Sequence, residues 1–260
     1  MASEKIVSVW GDRVHPKVKI SGTGSPVVYL HGGYGPIDTE LIDELGKHHT
    51  VYAPEHPGLS AGDEDAIKAL DDFWDLVLYY YDLFDKLGLK SPAVIGHSFG
   101  AMVAAEVAAT DPARVSKLVL INALGLWRDA HPVANYVITA QAKLPELLFR
   151  DPHHPALKRI VLNPEDQQGF IRITWSLGCT SKFYWPIPDK GLKKRLHRIT
   201  APTLILWGKD DRVVDPVYSE DFRKAIANAK VETIPGGAHM MTLEDPEKVA
   251  AAITKFLKPD

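Results

Sequence analysis

Cysteine is nearly absent: Cys179 stands alone in 260 residues. No intrachain disulfide can form, and nothing calls for an oxidising compartment. Long apolar runs are absent too, none approaching the roughly 20 residues needed to cross a bilayer. The opening Met1-Ala2-Ser3-Glu4-Lys5 lacks the basic region and apolar stretch of a secretory leader. The expectation is a cytoplasmic chain with no membrane partner. Nor does either sign of charge dominate. The 33 acidic and 30 basic residues are mixed along the chain and leave a formal charge of -3. No broad basic surface is available to neutralise phosphates, so nucleic acid is excluded as a partner. The densest basic cluster, Lys190 to Arg198, reads as a solvated helix face. The adjacent pairs His48-His49 and His153-His154 lack the spacing and carboxylate partners of a metal site, and no dinucleotide or phosphate-loop fingerprint follows a strand. Neither metal nor cofactor is expected.

What is present suits a globular α/β chain. Apolar residues make up 45% and charged residues 24%, enough for a large core. Short apolar runs at Pro26–Leu30, Thr50–Ala53, Ala93–Ile95, Leu118–Ile121, Thr203–Trp207 and Val231–Ile234 read as strands of a sheet buried on both faces. They alternate with helical patterns at Asp38–Leu45, Asp71–Leu87, Gly100–Ala109, Pro216–Ile226 and Asp245–Leu257, the last with an Asp cap and Pro246 at its first position. That rhythm predicts a mainly parallel sheet flanked by helices. Ile6–Trp10 and Val18–Ser21 suit an antiparallel edge hairpin. The rhythm breaks in a proline-rich interval and resumes at Thr203. The division expected is a core of residues 1–124 and 198–260 with an inserted helical cap, or lid, at 125–197, where Ala134–Leu148 is the clearest helical patch.

The strongest local signal is Gly96-His97-Ser98-Phe99-Gly100, between an apolar strand and a helix of small residues. A serine on so sharp a strand-to-helix turn is strained, and the turn admits only very small residues two positions to either side. Serine at its ordinary pKa is a weak nucleophile and needs a base. Of the 11 histidines, His239 leaves the final strand in Gly236-Gly-Ala-His239, at the sheet edge where the elbow lies. Asp211, in Gly208-Lys-Asp-Asp-Arg212 just past another strand, would orient it; Asp210 and Asp215 are rivals. The glycine-rich turn His31-Gly32-Gly33-Tyr34-Gly35 lets backbone amides approach a substrate. Together with the amide of Phe99, that turn would form an oxyanion hole. His31 and His97 read as braces of their loops rather than proton carriers.

These four motifs, His-Gly-Gly at 31 to 33, Gly-His-Ser-Phe-Gly at 96 to 100, Gly-Lys-Asp-Asp-Arg at 208 to 212 and Gly-Gly-Ala-His at 236 to 239, resemble those of the α/β-hydrolase superfamily across essentially the whole chain. The resemblance implies an α/β-hydrolase fold with Ser98, Asp211 and His239 as a catalytic triad, prefers Asp211 to Asp210 as its acid, and carries the oxyanion amides over to Phe99 and to Gly33 or Tyr34. Two departures stand out. Glu55-His-Pro-Gly-Leu-Ser60 replaces the usual Asp-x-x-Gly-x-Gly-x-Ser, and Met240 follows His239 where many carbon-carbon hydrolases of ring-cleavage products have tryptophan. A serine nucleophile points away from the aspartate-dependent dehalogenases and epoxide hydrolases of the superfamily. The activity expected is carboxylic ester hydrolysis by a carboxylesterase-type serine enzyme. Carbon-carbon hydrolysis of ring-cleavage diketones, or ligand binding by a receptor-like protein, are the alternatives. Cap aromatics Trp127, Trp175, Tyr184 and Trp185 would line a pocket for an apolar group; Phe183, Tyr184 and Trp185 would form part of a lid. The partner expected is a small-molecule ester, with a homodimer left open.

Overall fold

The computed structural model describes residues 2–258. Its strands are β1 (Ser3–Ile6), β2 (Lys17–Ser21), β3 (Ser25–Leu30), β4 (His49–Pro54), β5 (Ala93–His97), β6 (Lys117–Ile121), β7 (Thr203–Gly208) and β8 (Ala229–Ile234). They form one sheet in the order β1-β2-β4-β3-β5-β6-β7-β8. The pairs β1 with β2 and β2 with β4 are antiparallel, and every later pairing is parallel. The edge hairpin therefore exists, although its outer strand is Ser3–Ile6; Val9 and Val14 make only an isolated bridge between the two arms.

Helices α1 (Thr39–Gly46), α2 (Phe73–Lys86), α3 (Phe99–Thr110), α6 (Val217–Ala225) and α8 (Pro246–Leu257) follow the expected patterns, and the short α7 (Met241–Glu244) precedes α8. Their apolar stripes close a core on each face of the sheet: α2, α3 and α6 pack on one, α1 and α8 on the other. In α2 the Asp72 carboxylate accepts from the amides of Trp74 and Asp75, while Leu76, Val77, Tyr80, Leu83 and Phe84 turn inward. Such a cap stabilises a helix by about 1 kcal/mol, and each buried leucine adds roughly 2 kcal/mol. Pro246 opens α8 as expected, but Asp245 makes no side-chain cap. Its carboxylate instead receives Arg150 Nη1 at 3.0 Å.

Between β6 and β7 lie α4 (Leu144–Leu148) and α5 (Gln167–Tyr184), with short 3-10 turns and no strand among the described residues. The patch at Ala134–Leu148 is helical only from Gln141 onward. The long element is α5, whose apolar stripe is interrupted by Ser176 and Thr180. Both hydroxyls turn inward and bond backbone carbonyls, so polar residues take up a buried face.

Register sets the position of the site. Leu30 lies opposite Gly96, His97 opposite Ile121, Ile121 opposite Leu206, and Trp207 opposite Thr233. The loops after β3, β5, β7 and β8 consequently emerge along one carboxyl edge, where ligands bind in open parallel sheets.

Candidate active site

At the end of β5 the chain turns through Ser98 at φ 53° and ψ -114°, a conformation costing about 1–3 kcal/mol for a residue with a side chain. Close packing enforces the turn. A Cβ on Gly96 would fall 2.3 Å from the Gly100 carbonyl oxygen, and one on Gly100 only 2.1 Å from that of Leu30. The motif's glycines are thus steric requirements, and they aim Ser98 at the carboxyl edge with α3 starting at Phe99.

His239 Nε2 lies 2.9 Å from Ser98 Oγ, and His239 Nδ1 lies 2.9 Å from Asp211 Oδ2. With Nδ1–H donating to the carboxylate, Nε2 is left to accept the serine proton. The other Asp211 oxygen accepts from the amides of Val213 and Val214 at 2.8 and 3.0 Å, which fixes the carboxylate plane. All three side chains are buried. Asp210 is exposed, and Asp215 pairs with His131 at 2.8 Å, so neither rival reaches His239.

A second layer of hydrogen bonds holds the histidine loop. Asn122, just past β6, donates from Nδ2 to the carbonyls of Ala238 and His239 at 3.0 Å each and accepts from the amide of Gly208 at 2.8 Å. His97 Nε2 donates to the same His239 carbonyl at 2.9 Å. Asn122 was not singled out in the sequence; the available signal was a lone amide side chain directly after an apolar strand.

The loop after β3 is braced by two neutral imidazoles. His31 donates from Nδ1 to the Gly32 carbonyl at 2.8 Å and accepts the His56 amide at Nε2. His56 donates from Nε2 to the His31 carbonyl at 2.9 Å and accepts the Tyr80 hydroxyl at Nδ1. Burial lowers the pKa of His31, with its neighbour His56 pushing the same way, and takes His56 down to about 4. His56, at an unconstrained position of the loop pattern at Glu55–Ser60, therefore supplies a brace for the glycine turn. From α5, Ser176 donates to the Gly33 carbonyl at 3.0 Å, and the Thr180 hydroxyl, which donates to the Ser176 carbonyl at 2.8 Å, lies 3.3 Å from the same Gly33 oxygen. Among the described residues, the amides of Gly33, Tyr34 and Phe99 have no hydrogen-bond acceptor.

A model of the alpha/beta hydrolase family matches residues 27–252. The chain belongs to that family. It is similar to a 2-hydroxy-6-oxo-6-(2'-aminophenyl)hexa-2,4-dienoic acid hydrolase of Metapseudomonas resinovorans, with 25% identity over 98% of this chain and 90% of the relative. It also resembles an sn-1-specific diacylglycerol lipase of Mus musculus, at 25% identity over 89% of this chain and 80% of the relative. In fold it resembles a bacterial membrane phospholipase A, with a TM-score of 0.79 and 21% identity over 98% of this chain and 86% of that one. These relatives support hydrolase chemistry as the activity class.

Besides a cavity of about 330 Å³ lined by Asp211 and Asp215, this hydrolase has two others lined by expected aromatic side chains. One of about 200 Å³ is lined by Leu124, Trp127, Val133, Tyr136, Tyr184 and Pro186, with no charged residue on its wall. The other, of about 580 Å³, is lined by Tyr34, Leu59, Trp175 and Ser176 together with Lys17, Glu55 and Arg172. Trp127 and Tyr184 thus share one cavity and Trp175 lines the other, its indole N–H donating to Gly58 at 2.7 Å. Trp185 is 44% exposed and lines neither. Phe183 and Tyr184 are buried beside Phe99. Cys179 is buried, which pushes its thiol up to about 11 and leaves it without thiolate character. No helix among the described residues is long and apolar enough to cross a membrane, and none of their His, Cys, Asp or Glu side chains gather in threes to hold a metal.

Proposed function

We propose that this chain is a carboxylesterase-type serine hydrolase acting on esters with a small apolar acyl or alcohol group. The observation that carries the reading is the unbroken hydrogen-bond chain from Ser98 Oγ through His239 to Asp211 at the sheet's carboxyl edge. In this reading Ser98 attacks the ester carbonyl, its proton passes to His239 Nε2, and the carbonyl π pair moves onto oxygen. The amides of Phe99 and of Gly33 or Tyr34 receive that oxyanion, aided by the N-terminus of α3. Collapse expels the alcohol, which takes the proton from His239. Water then attacks the acyl-enzyme with His239 as base, and Ser98 and the free acid are regenerated.

Residues 125–197 serve as a cap in this scheme, and α5 reaches the glycine turn through Ser176 and Thr180. The uncharged cavity bounds the substrate. Its 200 Å³ exceeds the roughly 150 Å³ that holds a benzene ring but falls short of the roughly 300–1,000 Å³ of drug-sized sites. A butyryl- or phenyl-sized group fits.

A second reading, carbon-carbon hydrolysis, is favoured by the dienoic acid hydrolase among the relatives. A dienoate carries a carboxylate and calls for a cation; on the wall of the larger cavity Lys17 is paired with Glu55 at 3.3 Å, which leaves Arg172 as the candidate, with Glu64 on the same wall. The test is turnover of p-nitrophenyl esters from acetate to decanoate, beside a ring-cleavage dienoate, by wild type and Ser98→Ala. Ester turnover that peaks at short chains and vanishes in the variant supports the proposal. Dienoate cleavage alone, lost in Arg172→Ala, transfers the assignment to the second reading.

A further inference from the structure

The phenol of Tyr136, from the cap, reaches the glycine turn beside Ser98. A Cβ placed on Gly33 would lie 2.6 Å from its hydroxyl oxygen, and one placed on Gly32 would lie 3.5 Å from Ser98 Cβ, so the glycine turn bridges the phenol and the serine. The Tyr136 ring is held on several sides. It stacks on Tyr34 at 5.4 Å between centroids and faces the His239 imidazole at 6.3 Å. Tyr184, itself packed on Phe99, donates its hydroxyl to Tyr136 Oη at 3.1 Å. With Tyr184 donating in that bond, Tyr136 keeps its own proton for a second acceptor on the Ser98 side. Burial holds the phenol well above its ordinary pKa, with Tyr184 pushing the same way and the Ser98 hydroxyl opposing, so it stays a donor across the working pH range.

We propose that Tyr136 is a third oxyanion donor, contributed by the cap: its hydroxyl hydrogen-bonds the substrate carbonyl oxygen as negative charge develops there. No proton is transferred to the oxygen; the phenol shifts aside as the carbonyl enters and keeps its bond from Tyr184. A donor aimed at developing charge in a dry site acts on the transition state more than on the bound ester, and its removal lowers kcat rather than raising KM. Tyr184 is a positioning residue in this arrangement, orienting Tyr136 by the bond it donates.

The inference rests on Ser98 being the nucleophile, and the experiment separates the two. Hydrolysis of p-nitrophenyl butyrate and inhibition by butylboronic acid, which forms a tetrahedral adduct on an active serine, are measured for wild type, Tyr136→Phe and Tyr184→Phe. The expected result for Tyr136→Phe is a kcat reduced by about 10- to 100-fold, a KM changed by less than about threefold, and a boronate affinity weakened in step with kcat. Tyr184→Phe shows the same pattern with a smaller loss. Unchanged or raised kcat in Tyr136→Phe, or a rise confined to KM, overturns the assignment and makes the phenol a plug or a packing group. A wild type whose Ser98 takes no boronate overturns the triad itself, and this role with it.

Discussion

The imidazole of His97 and the carbonyl of His239 are joined by a 2.9 Å hydrogen bond, and Asn122 grips the same carbonyl from another side. The residue before Ser98 and the loop after β8 are thus tied through the His239 carbonyl, so the position of the His239 imidazole does not depend on its side-chain contacts alone. Asn122→Ala removes the Asn122 half of this clamp and leaves the Gly208 amide without its partner. Loss of buried hydrogen bonds of this kind costs roughly 1–3 kcal/mol. Chemical denaturation is expected to show that loss, together with a kcat for p-nitrophenyl butyrate reduced by about tenfold as the imidazole drifts.

Asp211 and Asp215 separate cleanly. Asp211→Asn keeps the packing but favours the wrong histidine tautomer, and kcat is expected to fall by about 10⁴. Asp215 is partly exposed and pairs with His131, so Asp215→Asn is expected to stay within about twofold of wild type. Equal losses in the two variants would reject the triad's acid.

His31, His56 and His97 are buried, and burial lowers all three pKa values below that of a free imidazole. The unfolded chain therefore binds protons that the folded chain refuses. Their stabilising contribution is complete above about pH 6.5 and is lost as pH falls toward the folded values. For His56, lowered to about 4, the loss by that pH is on the order of 3 kcal/mol. Urea midpoints measured from pH 7 to pH 4 should fall steadily, and His56→Gln should flatten the slope.

The two indoles Trp127 and Trp185 should differ in effect. Trp127 lines the uncharged cavity, and Trp127→Ala is expected to move the preferred p-nitrophenyl ester to a longer chain by lengthening that space. Trp185 is exposed and off both cavities, so Trp185→Ala should leave the chain-length profile unchanged. A profile that shifts only in Trp185→Ala would place the acyl site elsewhere.

Gly100→Ala addresses the elbow. With a Cβ 2.1 Å from the Leu30 carbonyl oxygen, the turn and β3 cannot both keep their places. Soluble yield and circular dichroism are expected to show failure to fold, and a well-folded variant would mean that the turn is looser than the contact requires.

Much of this was legible in the chain because the controlling forces are local. Apolar runs at β5, β6 and β7 specify buried strands, and Gly96 is demanded by sterics within a few residues of Ser98, whereas Gly100 answers to the Leu30 carbonyl on the neighbouring strand. The long helix α5 escaped notice because its buried face carries Ser176 and Thr180, whose hydroxyls bond carbonyls that no periodicity reveals. Sequence by itself determined the parallel sheet, the elbow and a short list of acids and histidines. The motifs' resemblance already preferred Ser98, Asp211 and His239 as the triad, and only the tertiary structure brings the three together. His239 lies 141 positions from Ser98 along the chain, and strand register brings the two to 2.9 Å. The bond between His239 and Asp211, the clamp by Asn122 and the approach of Tyr136 depend likewise on hydrogen bonds and close packing between distant segments, and these directional forces have no signature until the chain is folded.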